Sequence, residues 1–169
     1  MSDLQRFPLY RATVEDARGA RDIVTLLSPE EIERAGGVPP EAVAGTLAPG
    51  AEFAAGHFAP NPAFVELLHR VIRDTAPRIE ELVAGAKQQG AGWMLVHDAR
   101  AFGRDAEVAG RDAIGAFPIE DGTIHAGSYS PNPHHHLLTE YGIVTPHPEI
   151  QDALMTALRA LRLESREGA

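Results

Sequence analysis

Two windows of this chain are nearly the same, and both end in Pro-Asn-Pro: Ala55–Pro62 reads AGHFAPNP, and Ala126–Pro133 reads AGSYSPNP. Few short strings constrain a backbone as much. Each proline fixes its own φ and keeps the preceding residue out of the α region. The Asn side chain is among the best helix N-caps, and proline is favoured at the first helical position, where no N–H is needed. The first window therefore expects an extended approach, a cap at Asn61 and a helix from Pro62. The second expects the same at Asn132 and Pro133. The flanks agree, PAFVELLH beside PHHHLLTE, so an internal repeat of one supersecondary unit is the simplest reading.

The periodicity of the first ninety residues reads as helical. Thr13 caps an expected helix over Val14–Leu27, with Val14, Ala17, Ala20, Ile23, Val24 and Leu27 on related faces. Ser28-Pro29-Glu30-Glu31 is a capping-box pattern with proline at the first position, and Gly36-Gly37 stops that helix early. VPPEAVAGTLAPG adds a turn or two of helix before Pro49-Gly50. Phe64, Leu67, Leu68, Val71 and Ile72 form the i, i+3, i+4, i+7, i+8 stripe of a core-facing helix. Pro77 opens the next one, which ends at Gly90.

From Gly92 the pattern changes. GWMLVHD reads as a buried strand, with Trp93 in the core. AIGAFPIEDGTIHAGSY reads as a hairpin turning at Asp121-Gly122, with Pro118 confining its strand to an edge. Between them, 99–112 is a long connection, either a binding loop or a mobile one. Ile150, Leu154, Leu158 and Leu161, behind Pro148, make a C-terminal helical stripe. The expected fold is α+β: a helical N-terminal half and the C-terminal helix pack on one face of a small, mostly antiparallel sheet. All 169 residues form a single globular domain in this reading, with 1–90 mainly helical, 91–145 sheet-forming and 146–165 the C-terminal helix.

Charge and composition narrow the function classes. A net charge of -9 opposes the phosphate-neutralising surface that nucleic-acid binding needs, and suits a solvated surface or a basic partner. There is no cysteine, hence no disulfide, thiolate nucleophile or Cys-based zinc site. No apolar run is long enough to span a bilayer and no signal peptide is apparent, so a cytoplasmic location is the expectation. There is no phosphate-binding loop, no dinucleotide fingerprint and no serine nucleophile elbow.

His134, His135 and His136 have no counterpart in the first window, where Ala63, Phe64 and Val65 stand. If 133–140 is a helical turn, the three rings fan about 100° apart and line an anion or substrate site with Asn132 and Tyr129. If the segment is a hairpin turning at 140–142, His134 and His136 share a face and can hold zinc or another divalent transition metal. His125, His57 and His97, the last followed by Asp98, are the candidate third ligands, and Glu140 a ligand or base. A surface run of histidines packed on Tyr129 and Tyr141 is the plain alternative. Two functions follow. One is an acidic binding or accessory protein that acts on a protein partner or in self-association, with no cofactor and no membrane or nucleic-acid role. The other is a His-dependent, metal-assisted hydrolase or lyase acting on a small molecule through the His134–His136 cluster.

Overall fold

A computed structural model of the chain describes residues 6–101 and 113–163. Most of the expected 99–112 connection, from 102 on, and the tail beyond 163 lie outside the described residues.

The N-terminal half does not begin with helices. Its first elements are strands β1 (Tyr10–Asp16) and β2 (Gly19–Thr25), and the first helix, α1 (Pro29–Ala35), follows them. The expected helix over Val14–Leu27 is thus a hairpin, turning at Ala17-Arg18 with Asp16 opposite Gly19. Two local preferences decide this. Thr13, Val14, Ile23, Val24 and Thr25 are β-branched and pack well on a pleated surface. Gly19 takes φ 108°, and Asp16 Oδ1 accepts from Arg18 N at 2.8 Å. The apolar run that mimicked a helical stripe is the buried end of β2, where Asp22 to Leu27 are all buried.

The next expected helical turns are also mostly strand. A 3-10 turn at Pro40–Ala42 leads into β3 (Val43–Leu47), which pairs with β2 and with β4 (Ala59–Pro60). Helix α2 (Pro62–Thr75) starts as expected: Asn61 Oδ1 accepts from Ala63 N at 3.3 Å, Pro62 follows, and the five stripe residues are buried. Helix α3 (Glu80–Gln89) begins after a 3-10 turn that contains Pro77 and ends at Gly90, φ 80°.

The second sheet is built on β6 (Gly115–Glu120). It pairs with β5 (Gly92–Val96), with β7 (Thr123–Ile124) and with β8 (Ser130–Pro131), so Pro118 stands in a central strand and not an edge one. Asp121 (φ 50°) and Gly122 (φ 72°) make the expected hairpin turn. Strand β5 is buried on one face only: Met94 and Val96 face the core, while Trp93 is 58% and Leu95 38% exposed. A short hairpin, β9 (Leu138–Thr139) with β10 (Gly142–Ile143), precedes helix α4 (Pro148–Ala160). The described residues thus hold four helices and ten strands in three antiparallel sheets, in place of one small sheet under a helical half. One core cluster runs through them, from Phe7 and Leu26 through Phe64 and Phe117 to Leu158, and α2 packs on α4 within it.

Candidate functional site

The two Pro-Asn-Pro windows adopt one local geometry. In the first, Gly45 lies opposite Pro60 and Thr46 opposite Ala59. In the second, Gly115 lies opposite Pro131 and Ala116 opposite Ser130. Asn61 Nδ2 donates to Val43 O and Pro40 O, both at 2.8 Å, and Asn132 Nδ2 donates to Ala113 O at 2.8 Å. An aromatic ring covers the glycine in each: a Cβ on Gly45 would lie 2.2 Å from the Phe58 ring, and one on Gly115 2.3 Å from the Tyr129 hydroxyl. The string is therefore a corner that ties a short strand to its neighbour.

After the corner the two windows part. Asn132 Oδ1 accepts from His134 N at 3.0 Å, as a cap does, yet the described chain turns once and enters β9. Arg100 ties this segment down. Its Nη1 donates to Gly142 O at 2.6 Å and Leu137 O at 3.3 Å, and its Nη2 to His136 O at 2.7 Å. Carbonyls that a helix would need are spent on one guanidinium. Arg100 is held in turn by Asp98, with Nη2 to Oδ2 at 2.6 Å and Nε to Oδ2 at 3.0 Å; the side chains are 2% and 0% exposed. Asp98 Oδ1 accepts from Arg100 N and Thr145 N at 3.1 and 3.0 Å. Burial pushes the Asp98 carboxyl upward, but the hydrogen bonds from His135 and Arg100 outweigh it and hold the group below the usual carboxylate range.

His135 completes this cluster. Its side chain is 6% exposed and its Nε2 lies 3.0 Å from Asp98 Oδ2. Both Arg100 Nη2 hydrogens are taken, by Asp98 and His136 O, so the network assigns the proton to His135 Nε2 as donor to Asp98. The other ring nitrogen, Nδ1, has no protein hydrogen bond among the described residues. No buried side-chain polar atom among them lacks a partner, so Nδ1 reaches open space.

His135 lines a cavity of about 240 Å³ between the two corners, together with Phe58, Leu68, His69, Pro131 and His136 among others. His69, on α2, faces it, with Nδ1 2.8 Å from the Tyr129 hydroxyl. Burial holds the Tyr129 hydroxyl protonated. Burial, and then the neighbouring His135, hold His69 below the ordinary imidazole value. With Tyr129 donating to Nδ1, neutral His69 carries its hydrogen on Nε2.

The other sequence candidates are dispersed. His134 and His136 are exposed and precede β9, so they do not alternate along a strand. His57 Nδ1 is 3.0 Å from Glu52 O, His125 pairs with Glu120 at 3.3 Å, and His97 lies in a different cavity. Glu140 and Tyr141 are exposed at the β9–β10 turn. No group of three side chains able to hold a metal ion occurs among the described residues. Sequence reasoning missed Arg100 and His69. An acid followed two residues on by arginine, at the end of an apolar strand, is a legible sign of the first; nothing in the α2 stripe marks the second.

A second surface stands apart from this cavity. Trp93 and Leu95 share the outer face of β5, the end strand of its sheet in the described residues. Leu95 also lines an apolar groove of about 390 Å³, together with Leu82, Val96, Pro146, Pro148 and Ile150, with Glu81 and His147 at its edge. Those two residues also border an adjoining shallow depression that contains Glu80 and Glu149. All three glutamates are exposed. No helix of the described residues is long and apolar enough to cross a membrane. Comparisons with protein-family models, curated proteins and solved structures return no match to this chain.

Proposed function

We propose that this chain is a protein-binding module whose partner is a basic segment with apolar side chains, bound along β5. One observation carries the reading: the sole tryptophan, Trp93, is 58% exposed on the same strand face as Leu95, which lines an apolar groove. A tryptophan left mostly in water on an end strand is an unusual use of the residue with most to gain from burial. Tryptophans of this kind are the anchors that dominate protein–protein interfaces, each worth about 2 kcal/mol or more when truncated. The acidic rim sets the partner's sign. Glu80, Glu81 and Glu149 adjoin the groove, and the whole chain carries a net charge of -9, which steers a cationic segment and repels an acidic one.

The partner's apolar side chain fills the groove, and its Lys or Arg residues meet the glutamates. This makes the chain an accessory protein acting in the cytoplasm, without a cofactor and without a nucleic-acid or membrane role. Selection of random peptides displayed on phage against the intact chain tests it. Basic, apolar peptides are expected, with binding lost in Leu95→Asp. Selected peptides that are acidic, or that bind Leu95→Asp unchanged, overturn the reading.

A further inference from the structure

The cavity between the corners shares no lining residue with the β5 surface, and its chemistry stands on a comparison within the molecule. Counting three residues on from each corner asparagine gives Phe64 in the first window and His135 in the second. Phe64 is 0% exposed in the apolar core; the His135 side chain is 6% exposed on Asp98. The ring over the glycine is Phe58 in one corner and Tyr129, bonded to His69, in the other. Where one corner has apolar groups, the other has imidazole, phenol and a buried Asp–Arg pair. Such a cluster gives no more stability than an apolar core of similar volume, so stability does not account for it.

The cluster puts two imidazoles, His69 and His135, in the wall of one cavity. The walls around them are apolar, with Phe58, Val65, Leu68 and Leu137, and no carboxylate is among the described residues that line it. We propose that this cavity binds a small, mainly apolar carboxylate between the N–H of His69 and a protonated His135. The charges close. Asp98 and Arg100 neutralise one another, so a proton taken up at His135 Nδ1 leaves one positive charge for one carboxylate. The bonds are charge-assisted, the strong kind. Two convergent donors fit the two oxygens of a carboxylate, and a neutral ligand would not draw the proton onto His135.

The volume sets the size. About 240 Å³ is below the range of roughly 300–1,000 Å³ that holds drug-sized ligands, so a single-ring or short-chain acid is the class. The groups facing His135 are Asp98 and Arg100 on its Nε2 side, with His69 and His136 along the cavity. The distant acidic surface that repels anions is screened over about 8–10 Å at ordinary ionic strength.

Calorimetric titration of the intact chain with sodium benzoate, in two buffers of different ionisation enthalpy, reads both affinity and proton uptake. One site is expected, with proton uptake accompanying benzoate. Benzyl alcohol, with the same ring and no charge, should not bind. His69→Gln should weaken benzoate at least tenfold; because His135→Asn also removes a contact to buried Asp98, His69→Gln is the deciding variant, with its melting temperature as the control for folding. Absence of benzoate binding, binding without proton uptake, equal binding of benzyl alcohol, or full affinity in a folded His69→Gln protein would each overturn the proposal.

Discussion

Arg100→Met removes the group that ties together the carbonyls of His136, Leu137 and Gly142, and its effect can be worked from the contacts. Methionine fills much of the same volume, so the loss is mainly electrostatic. Asp98, with a side chain 0% exposed, keeps its hydrogen bonds from Thr145 N and His135 but loses its counter-charge. Breaking a buried pair from one side costs about 3–5 kcal/mol. The carbonyls of His136, Leu137 and Gly142 lose a charged donor as well, which puts the expected value near the top, at about 4–5 kcal/mol. For a chain of this size each kcal/mol is about 2–4 °C in Tm, so a drop of roughly 8–20 °C is expected by calorimetry. Asp98→Asn should behave alike, and Asp98→Asn/Arg100→Met should be no worse than the poorer single variant, because neither charge is then left alone. The Asp98 carboxyl is held below its ordinary value, so its contribution is complete above about pH 4 and is lost as pH falls through the lower, folded value. Asp98→Asn should therefore flatten the acid limb of stability. An Arg100→Met protein that melts within about 2 °C of the parent refutes the assignment of Arg100 as the anchor.

Gly45→Ala should cost about 3 kcal/mol, the upper end for overpacking, because the new methyl meets Ala59 O at 2.6 Å as well as the Phe58 ring; Gly56→Ala, with nothing within 4 Å, should change stability by about 0.5 kcal/mol or less. Chemical unfolding of the two proteins side by side checks the corner geometry, and equal stability would contradict it. His69 is held below the ordinary imidazole value, so its contribution is full above about pH 6.5 and is lost as pH falls towards the folded value. His69→Phe should reduce the pH dependence of Tm between neutrality and about pH 5, and an unchanged slope would show that His69 charges freely in the folded chain.

The helices that were legible in the sequence are those whose ends carry chemistry: the Ser28–Glu31 capping box, Asn61-Pro62 and Pro148. Where only an apolar rhythm was available, it misled. Ile23 to Leu27 is a continuous buried run that satisfies a helical stripe and a buried strand equally, and the Asp16–Gly19 turn that decides between them is short. Trp93 was expected in the core because the four apolar or aromatic residues Trp93 to Val96 look alike in sequence. The sheet faces of β5 are settled by what packs across it, and nothing local records that. The functional corner was half legible. The histidine run marked the place, but which of the three rings turns inward depends on Asp98 and Arg100, over thirty residues upstream. His134 and His136, the pair that alternation favoured, are the exposed ones, and His135 between them is the buried one.

The central claim is that β5 presents Trp93 to a basic partner, and Trp93 is the only tryptophan in the chain, so its fluorescence reports on that surface alone. Titration of the intact chain with a display-selected basic, apolar peptide that lacks tryptophan is the most direct measurement. A saturable blue shift of the emission, weakened by added salt and abolished in Leu95→Asp, is the expected result. Binding by calorimetry with the emission unmoved, or a shift indifferent to salt and to Leu95→Asp, would contradict the claim.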